Sequence, residues 1–218
     1  MRILIADDHA VLREGLRQIL AEAFPMAEFG GAGTTTETIE CLGRGRWDIL
    51  VLDVFMPGRN GLDVLHEVRK NHPKLPVLVL SSAPEEQLGL RVLKAGASGY
   101  LNKQTAPQKL VRAVTSLLAG GKFVTATLVE KLVAGAGAAD LLPHETLSDR
   151  EFQLMQLVLA GRSLKEVAAE LSLSVKTIRT FHARLLKKLA LKNDVELVHY
   201  ALEQRLVESA LPPPSPDH

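Results

Sequence analysis

The pair Asp7-Asp8, Asp53, Ser81 and Lys103 lie far apart in the chain, yet each ends or follows a short apolar run. In an open parallel α/β sheet, functional groups collect at the carboxyl ends of the strands, so all five are expected on one edge. Three carboxylates brought together repel one another. A hard cation with oxygen ligands relieves that repulsion, and a site with few protein carboxylates favours Mg2+. The same group can accept a phosphoryl unit: Asp53 would be the nucleophile, Mg2+ would neutralise the transferring oxygens, Lys103 would pair with one phosphoryl oxygen and the Ser81 hydroxyl would donate to another. Charge at Asp53 would move from about −1 towards −2, which predicts that Ser81 is drawn inward and that Tyr100 follows it into the vacated space.

A second concentration of chemistry lies between Ser174 and Lys192, where Lys176, Arg179, Arg184, Lys187, Lys188 and Lys192 occur without a single acidic residue. Val175, Ile178, Leu185 and Leu189 recur at helical spacing and are expected to face a core. That leaves Lys176, Arg179, Thr180, Ala183 and Lys187 outward. The small Ala183 lets such a helix approach a groove closely. A capped short helix and the tight turn Ser172-Leu173-Ser174 come before it, which is the arrangement of a recognition helix in a helix-turn-helix.

The elements that must position these groups are readable from periodicity. From Met1 to about Gly121, short apolar runs alternate with amphipathic segments, as βα units around a parallel sheet require. Strands are predicted at Arg2 to Ala6, Glu28 to Ala32 (the weakest), Asp48 to Leu52, Val77 to Leu80 and Gly99 to Leu101. Helices are predicted at about 10 to 23, 36 to 43, 61 to 71, 85 to 95 and 107 to 119, with Gly96 and Gly120-Gly121 stopping the last two. The strongest strands are apolar on both faces, so helices should cover both sides of the sheet.

Between Lys122 and Thr146 the pattern weakens into AGAGAADLLPHET, a linker composition, although Thr127 to Val133 has room for a helical turn or two. From Leu147 onward only helical periodicity remains. Ser148 to Glu151 and Ser163 to Glu166 both fit the S-x-x-E capping box, and Asn193 to Glu196 is a variant. Four helices are predicted, at about 149 to 160, 164 to 171, 175 to 189 and 194 to 205. The closing LPPPSPDH is too rich in proline to fold and reads as a disordered tail.

Composition bounds the rest. The 218 residues suit two domains, and the net charge of +1 means that any nucleic-acid contact must come from local clustering. A single cysteine, Cys41, excludes an intramolecular disulfide framework and fits a reducing cytosol. The opening MRILIADDHAVLREG reads as a core strand and not a signal peptide, and nowhere do about 18 uninterrupted apolar residues suggest a membrane span. A soluble, cytoplasmic protein is expected.

The segments ADDHAVLREG, LVLDVFMPGRNGLDVL, VLVLSSAP and KAGASGYLNK resemble the receiver domain of two-component response regulators over residues 1 to 121. The run from LSDREFQLMQ to LVHYAL resembles the LuxR-type DNA-binding domain over about residues 147 to 206, with Gly161-Arg162-Ser163, Lys165 to Ala168 and Lys176-Thr177-Ile178 at that family's motif positions. The tandem resembles the NarL/FixJ subfamily. The resemblance implies a five-stranded, doubly wound, flavodoxin-like receiver at 1–121, a linker at 122–146, a four-helix DNA-binding domain at 147–206 and a disordered tail at 207–218.

Carried over by position, the resemblance makes Asp53 the phospho-acceptor. Asp8, Asp53 and the backbone carbonyl of Phe55 become Mg2+ ligands, with Asp7 close by or acting through water. Ser81, Tyr100 and Lys103 match the switch hydroxyl, the switch aromatic and the lysine, and Pro57-Gly58 the turn after the acceptor. Asn102 and Pro84 depart from the commonest pattern. Phe55 and Ala83 hold the positions that tune hydrolysis of the acyl phosphate, and both are apolar, which implies slow self-dephosphorylation.

On the DNA side, the resemblance points Arg179, Thr180 and Ala183 at base edges and gives Lys176, Thr177, Arg184 and Lys187 to phosphates. One of Phe181 and His182 packs inward while the other faces DNA. Val195, Val198 and Leu202 on the last helix would pair two domains. The partners implied are double-stranded DNA, a sensor histidine kinase and, on phosphorylation, a second copy. The chain would be a transcription regulator and not an enzyme. A Mg2+-dependent phosphotransfer enzyme or phosphatase and a pseudo-receiver working without phosphorylation are the rival readings.

Overall fold

A computed structural model describes residues 1–56, 61–83, 85–133, 142–171, 173–204 and 206–207. The chain forms two compact units, one ending before Leu142 and the other beginning there. The expected turn Pro57-Gly58, Pro84, Ser172, the Gly- and Ala-rich stretch 134–141 and the tail from residue 208 lie outside the described residues.

The first unit alternates strands and helices: β1 (Arg2–Ala6), α1 (Ala10–Ala23), β2 (Glu28–Ala32), α2 (Thr35–Arg44), β3 (Ile49–Asp53), α3 (Gly61–Asn71), β4 (Val77–Ser81), α4 (Glu85–Lys94), β5 (Gly99–Asn102) and α5 (Ala106–Leu118). All strands are parallel, in the order β2-β1-β3-β4-β5. This is the expected doubly wound sheet. Every residue of β3 and β4 is buried, as a sheet covered on both faces requires. On one face Ile3, Ile5, Val51, Leu78 and Leu80 pack with Leu16, Leu20, Leu110, Val114 and Leu117 of α1 and α5. β2 (EFGGA) is largely uncovered, which accounts for its weak sequence signal.

The strand order reverses between β1 and β3, so their carboxyl ends border the crevice where an open α/β sheet binds ligands. Asp7 follows β1 and Asp53 closes β3. Gly61, which opens α3, sits against the chain just past Asp53: a Cβ there would lie 2.3 Å from the Cα of Val54. Only glycine allows that approach.

Residues 122–133, expected within the linker, belong largely to the first unit. Phe123 forms a parallel bridge with Gly99, its carbonyl accepting from the Tyr100 amide at 2.9 Å and its own amide donating to Ser98 O at 3.2 Å. The amide of Thr125 donates to Glu85 Oε1 at 3.0 Å. A further helix, α6 (Ala126–Val133), then packs on α4, with Leu128 so close to Gly89 that a Cβ at 89 would meet its Cδ2 at 2.7 Å. A mid-helix glycine costs about 1 kcal/mol relative to alanine, and here it admits a neighbouring helix. The helical turn or two allowed for Thr127 to Val133 is thus α6, and its docking on the first unit was not legible because the contact depends on a glycine elsewhere.

The second unit contains a 3-10 turn (Pro143–Thr146) and four helices, α7 (Asp149–Leu159), α8 (Leu164–Glu170), α9 (Val175–Lys188) and α10 (Asp194–Glu203). Both expected capping boxes form: Ser148 N donates to Glu151 and Ser163 N to Glu166, each at 2.8 Å, and the return bonds from the N3 amides are present. Asn193 caps α10 through the Glu196 amide. Phe152, Leu154, Met155, Val167, Ile178, Leu185, Leu197 and Ala201 make the core.

Candidate functional site

Asp7 is fully buried, Asp53 is 1% exposed and Ser81 is fully buried at the carboxyl edge of the sheet. The Lys103 ammonium joins the two carboxylates, 2.6 Å from Asp53 Oδ2 and 2.8 Å from Asp7 Oδ2. The other oxygen of Asp53 accepts the Phe55 amide at 2.9 Å. Ser81 Oγ accepts the Ala83 amide at 3.1 Å, and the Ser81 carbonyl accepts the Lys103 amide at 2.8 Å, so β4 and the turn after β5 are held together beside the acceptor.

Burial pushes the Asp53 carboxyl above its ordinary range, against the pull of Lys103 and the Phe55 amide. Burial would also lower the Lys103 ammonium, but Asp53 and Asp7 outweigh it and hold the lysine above its usual value. One cation thus faces two buried carboxylates, with a third at the rim on Asp8. Ligand atoms of Asp7, Asp8, His9 and Asp53 lie within 4.8 Å of one another. The excess of hard oxygen donors suits a small divalent cation.

His9 was not anticipated. Its Nδ1 lies 2.7 Å from Asp8 Oδ1 and 3.4 Å from Asp7 Oδ1, with the ring largely exposed. Only its place directly after the aspartate pair could have signalled this. Tyr100 is already inward, 3% exposed, with its hydroxyl donating to Ala83 O at 2.5 Å. The side chain expected to move with Ser81 thus starts from a buried position. Asn102, a departure from the commonest pattern, donates to the same carbonyl at 3.1 Å. Two side chains from β5 therefore grip the loop that follows Ser81.

In the second unit α9 presents Lys176, Arg179, Thr180, Ala183, Arg184 and Lys187, with the edge of Val175, along one shallow concave surface. Ile178 and Leu185 are buried beneath. Ser174 caps the helix by accepting the Thr177 amide at 3.0 Å, and the two hydroxyls meet at 2.8 Å. Thr177, expected to hold a phosphate, is thus half-buried with its hydroxyl engaged at the cap. His182 lies off the concave surface: its side chain is 16% exposed, with Nε2 2.6 Å from Asp194 Oδ1 at the start of α10. Of the eight expected DNA contacts, that geometry separates Thr177 and His182 from the other six.

A parallel five-stranded sheet with this acid and lysine edge is a receiver, and a capped helix pair with a basic second helix is a DNA-binding module. Residues 3–115 match the response regulator receiver domain, and residues 145–201 match the bacterial regulatory proteins of the luxR family. The chain belongs to the response regulators of the NarL/FixJ family and is a DNA-binding transcription regulator of a two-component system. It is 34% identical over 217 residues to the oxygen regulatory protein NreC of Staphylococcus epidermidis, covering 95% of this chain and all of that one. It is 29% identical over 208 residues to the response regulator UvrY of Escherichia coli, covering 94% and 95%. Among solved structures it is similar to RcsB of Salmonella enterica serovar Typhimurium bound to a promoter with the phosphomimetic BeF3−, at 28% identity and a TM-score of 0.66 over 92% of this chain and 97% of that one. Among the described residues no helix is long and apolar enough to cross a membrane.

Proposed function

We propose that Asp53 accepts a phosphoryl group from a sensor histidine kinase, and that this raises the affinity of the exposed face of α9 for double-stranded DNA. The observation that carries the reading is the Lys103 ammonium held within 2.8 Å of both Asp53 and Asp7 at the switch point of the sheet. A carboxylate oxygen of Asp53 attacks phosphorus. The P–N bond of the donor phosphohistidine breaks, its electron pair stays on the imidazole, and an acyl phosphate forms. Lys103 exchanges its contact with Asp53 Oδ2 for a phosphoryl oxygen. Ser81, whose oxygen accepts from Ala83, has its hydroxyl proton to donate to another.

Asp8, Asp53 and the Phe55 carbonyl would hold Mg2+, with Asp7 beside them, and the ion would neutralise charge on the transferring oxygens. Mg2+ in hundredfold excess over its dissociation constant is expected to stabilise the wild-type fold by about 2.7 kcal/mol, seen as a rise in thermal midpoint. Asp8→Asn should remove most of that rise. A wild-type midpoint indifferent to Mg2+ would contradict the ligand set.

Phe55 and Ala83 flank the acceptor with apolar side chains, Ala83 being 7% exposed, so neither offers a group to orient an attacking water. The acyl phosphate should therefore outlast the seconds scale. A time course of inorganic phosphate release checks this, and a half-life of seconds would count against it.

Receiver function belongs to residues 1–121 with 123–133 as an appended arm, and DNA binding to 147–206, in a cytoplasmic protein. The active form is a homodimer. Val195, Val198 and Leu202 remain 66%, 42% and 41% exposed along one side of α10, an apolar stripe suited to pairing two DNA-binding units. Pairing raises effective concentration, so weak contacts by single units become tight binding to a two-fold site. The test is selection of duplexes from a randomised pool with and without a small phosphodonor; equal selection in both arms would reject the switch.

A further inference from the structure

We propose that Glu151 is a positioning residue for DNA recognition: through Lys188 it fixes the end of α9, so that Lys188 serves the interior of the unit and takes no phosphate. The proposal rests on the DNA-binding reading of α9 above.

Among the described residues two capping boxes share the same Ser-x-x-Glu form, and they differ in the burial of the glutamate. Glu166 completes its box at Ser163 while exposed, whereas Glu151 is 3% exposed. Capping alone does not require burial, since both carboxylates accept their N-cap amide at 2.8 Å. Burying a carboxylate is costly unless a further partner compensates it. Lys188 supplies that partner, its Nζ 2.7 Å from the same Glu151 Oε2 that accepts the Ser148 amide and hydroxyl. Burial raises the Glu151 carboxyl, yet Lys188 and Ser148 bring it below the usual range, so it is ionised at neutral pH.

Lys188 is the last residue of α9, and the 37 positions back to Glu151 lead to the first turn of α7. The basic residues of the helix therefore divide. Lys176, Arg179, Arg184 and Lys187 line the concave surface, and Lys188 does not. A cation at the last turn also suits the helix dipole. One carboxylate thereby starts α7 and clamps the far end of the recognition helix, setting the angle at which the concave surface meets a duplex.

The test uses the full chain and the duplex that the wild type enriches from a randomised pool. Glutamine at 151 can still complete a capping box, so Glu151→Gln removes chiefly the ion pair. Glu151→Gln and Lys188→Met should each weaken binding about tenfold, the size of one charge-assisted hydrogen bond, and the double variant should be no worse than either. Lys188→Arg should restore most of the affinity. The slope of log affinity against log salt should match the wild type in all of them.

A Lys188→Met slope shallower by about 0.9, the signature of one lost phosphate contact, would overturn the proposal. So would tighter binding by Glu151→Gln, or losses that add. Because Lys188 is half-exposed at a helix end, its slope decides the matter even if Glu151→Gln proves unstable. A wild type that enriches no duplex would instead reject the DNA-binding reading itself.

Discussion

Asp53→Asn is expected to bind its duplex as the wild type does without phosphodonor, and to gain nothing when phosphodonor is added. In the wild type the gain should be roughly 5- to 150-fold, the usual range of coupling between two sites. No neighbour can stand in for Asp53: Asp7 is fully buried against Lys103, and Asp8 sits at the rim beside His9. Asparagine retains an oxygen for the Phe55 amide, so the local turn should survive. Lys103 would still have Asp7. Burial holds the Asp53 carboxyl above its ordinary range, so its ionised form opposes folding at neutral pH, and that cost is relieved as pH falls through the folded value. The uncharged side chain should accordingly raise the thermal midpoint. A donor-dependent gain that survived in Asp53→Asn would place the acceptor elsewhere.

On the DNA side, Arg179→Ala should cost about 1–3 kcal/mol against the selected duplex and broaden the set of sequences bound, as loss of a base-edge contact does. Lys187→Ala should weaken binding evenly across sequences and make the salt slope shallower by about 1, as loss of a phosphate contact does. Both side chains lie exposed on the same concave surface of α9, so their contrast isolates what each touches and not whether the helix folds. Titrations of selected and scrambled duplexes at several salt concentrations make the comparison. If both variants behaved alike, the division of this surface into reading and holding residues would be wrong.

The fold was legible where a signal is local. Apolar runs marked β1, β3 and β4 because those strands are buried on both faces, and S-x-x-E marked the starts of α7 and α8 because the cap is completed within one turn. The acid and lysine edge was legible for a related reason. Parallel topology sends every strand end to the same side, so Asp53, Ser81 and Lys103 needed only their places in the strand pattern to be assembled.

What escaped depends on pairings between distant segments. Neither the Lys188 contact with Glu151 nor that of His182 with Asp194 has any periodicity, and each ties a polar residue of α9 to a carboxylate of another helix. Asn102 departs from the commonest pattern, and its use was not legible because its partner, the Ala83 carbonyl, is a backbone group invisible in a string of side chains. A helical turn at Thr127 to Val133 was legible, but its docking was not, because a glycine in α4 makes room for it.

That arm has a consequence for one border of the sheet. β5 is an outer strand of its sheet, as β2 is at the other border, and an outer strand offers open amides and carbonyls to any passing chain. Phe123, which follows α5, occupies part of that row, taking the Tyr100 amide and the Ser98 carbonyl for itself. Two receivers are thereby discouraged from fusing along this border into one continuous sheet, an association that is hard to undo.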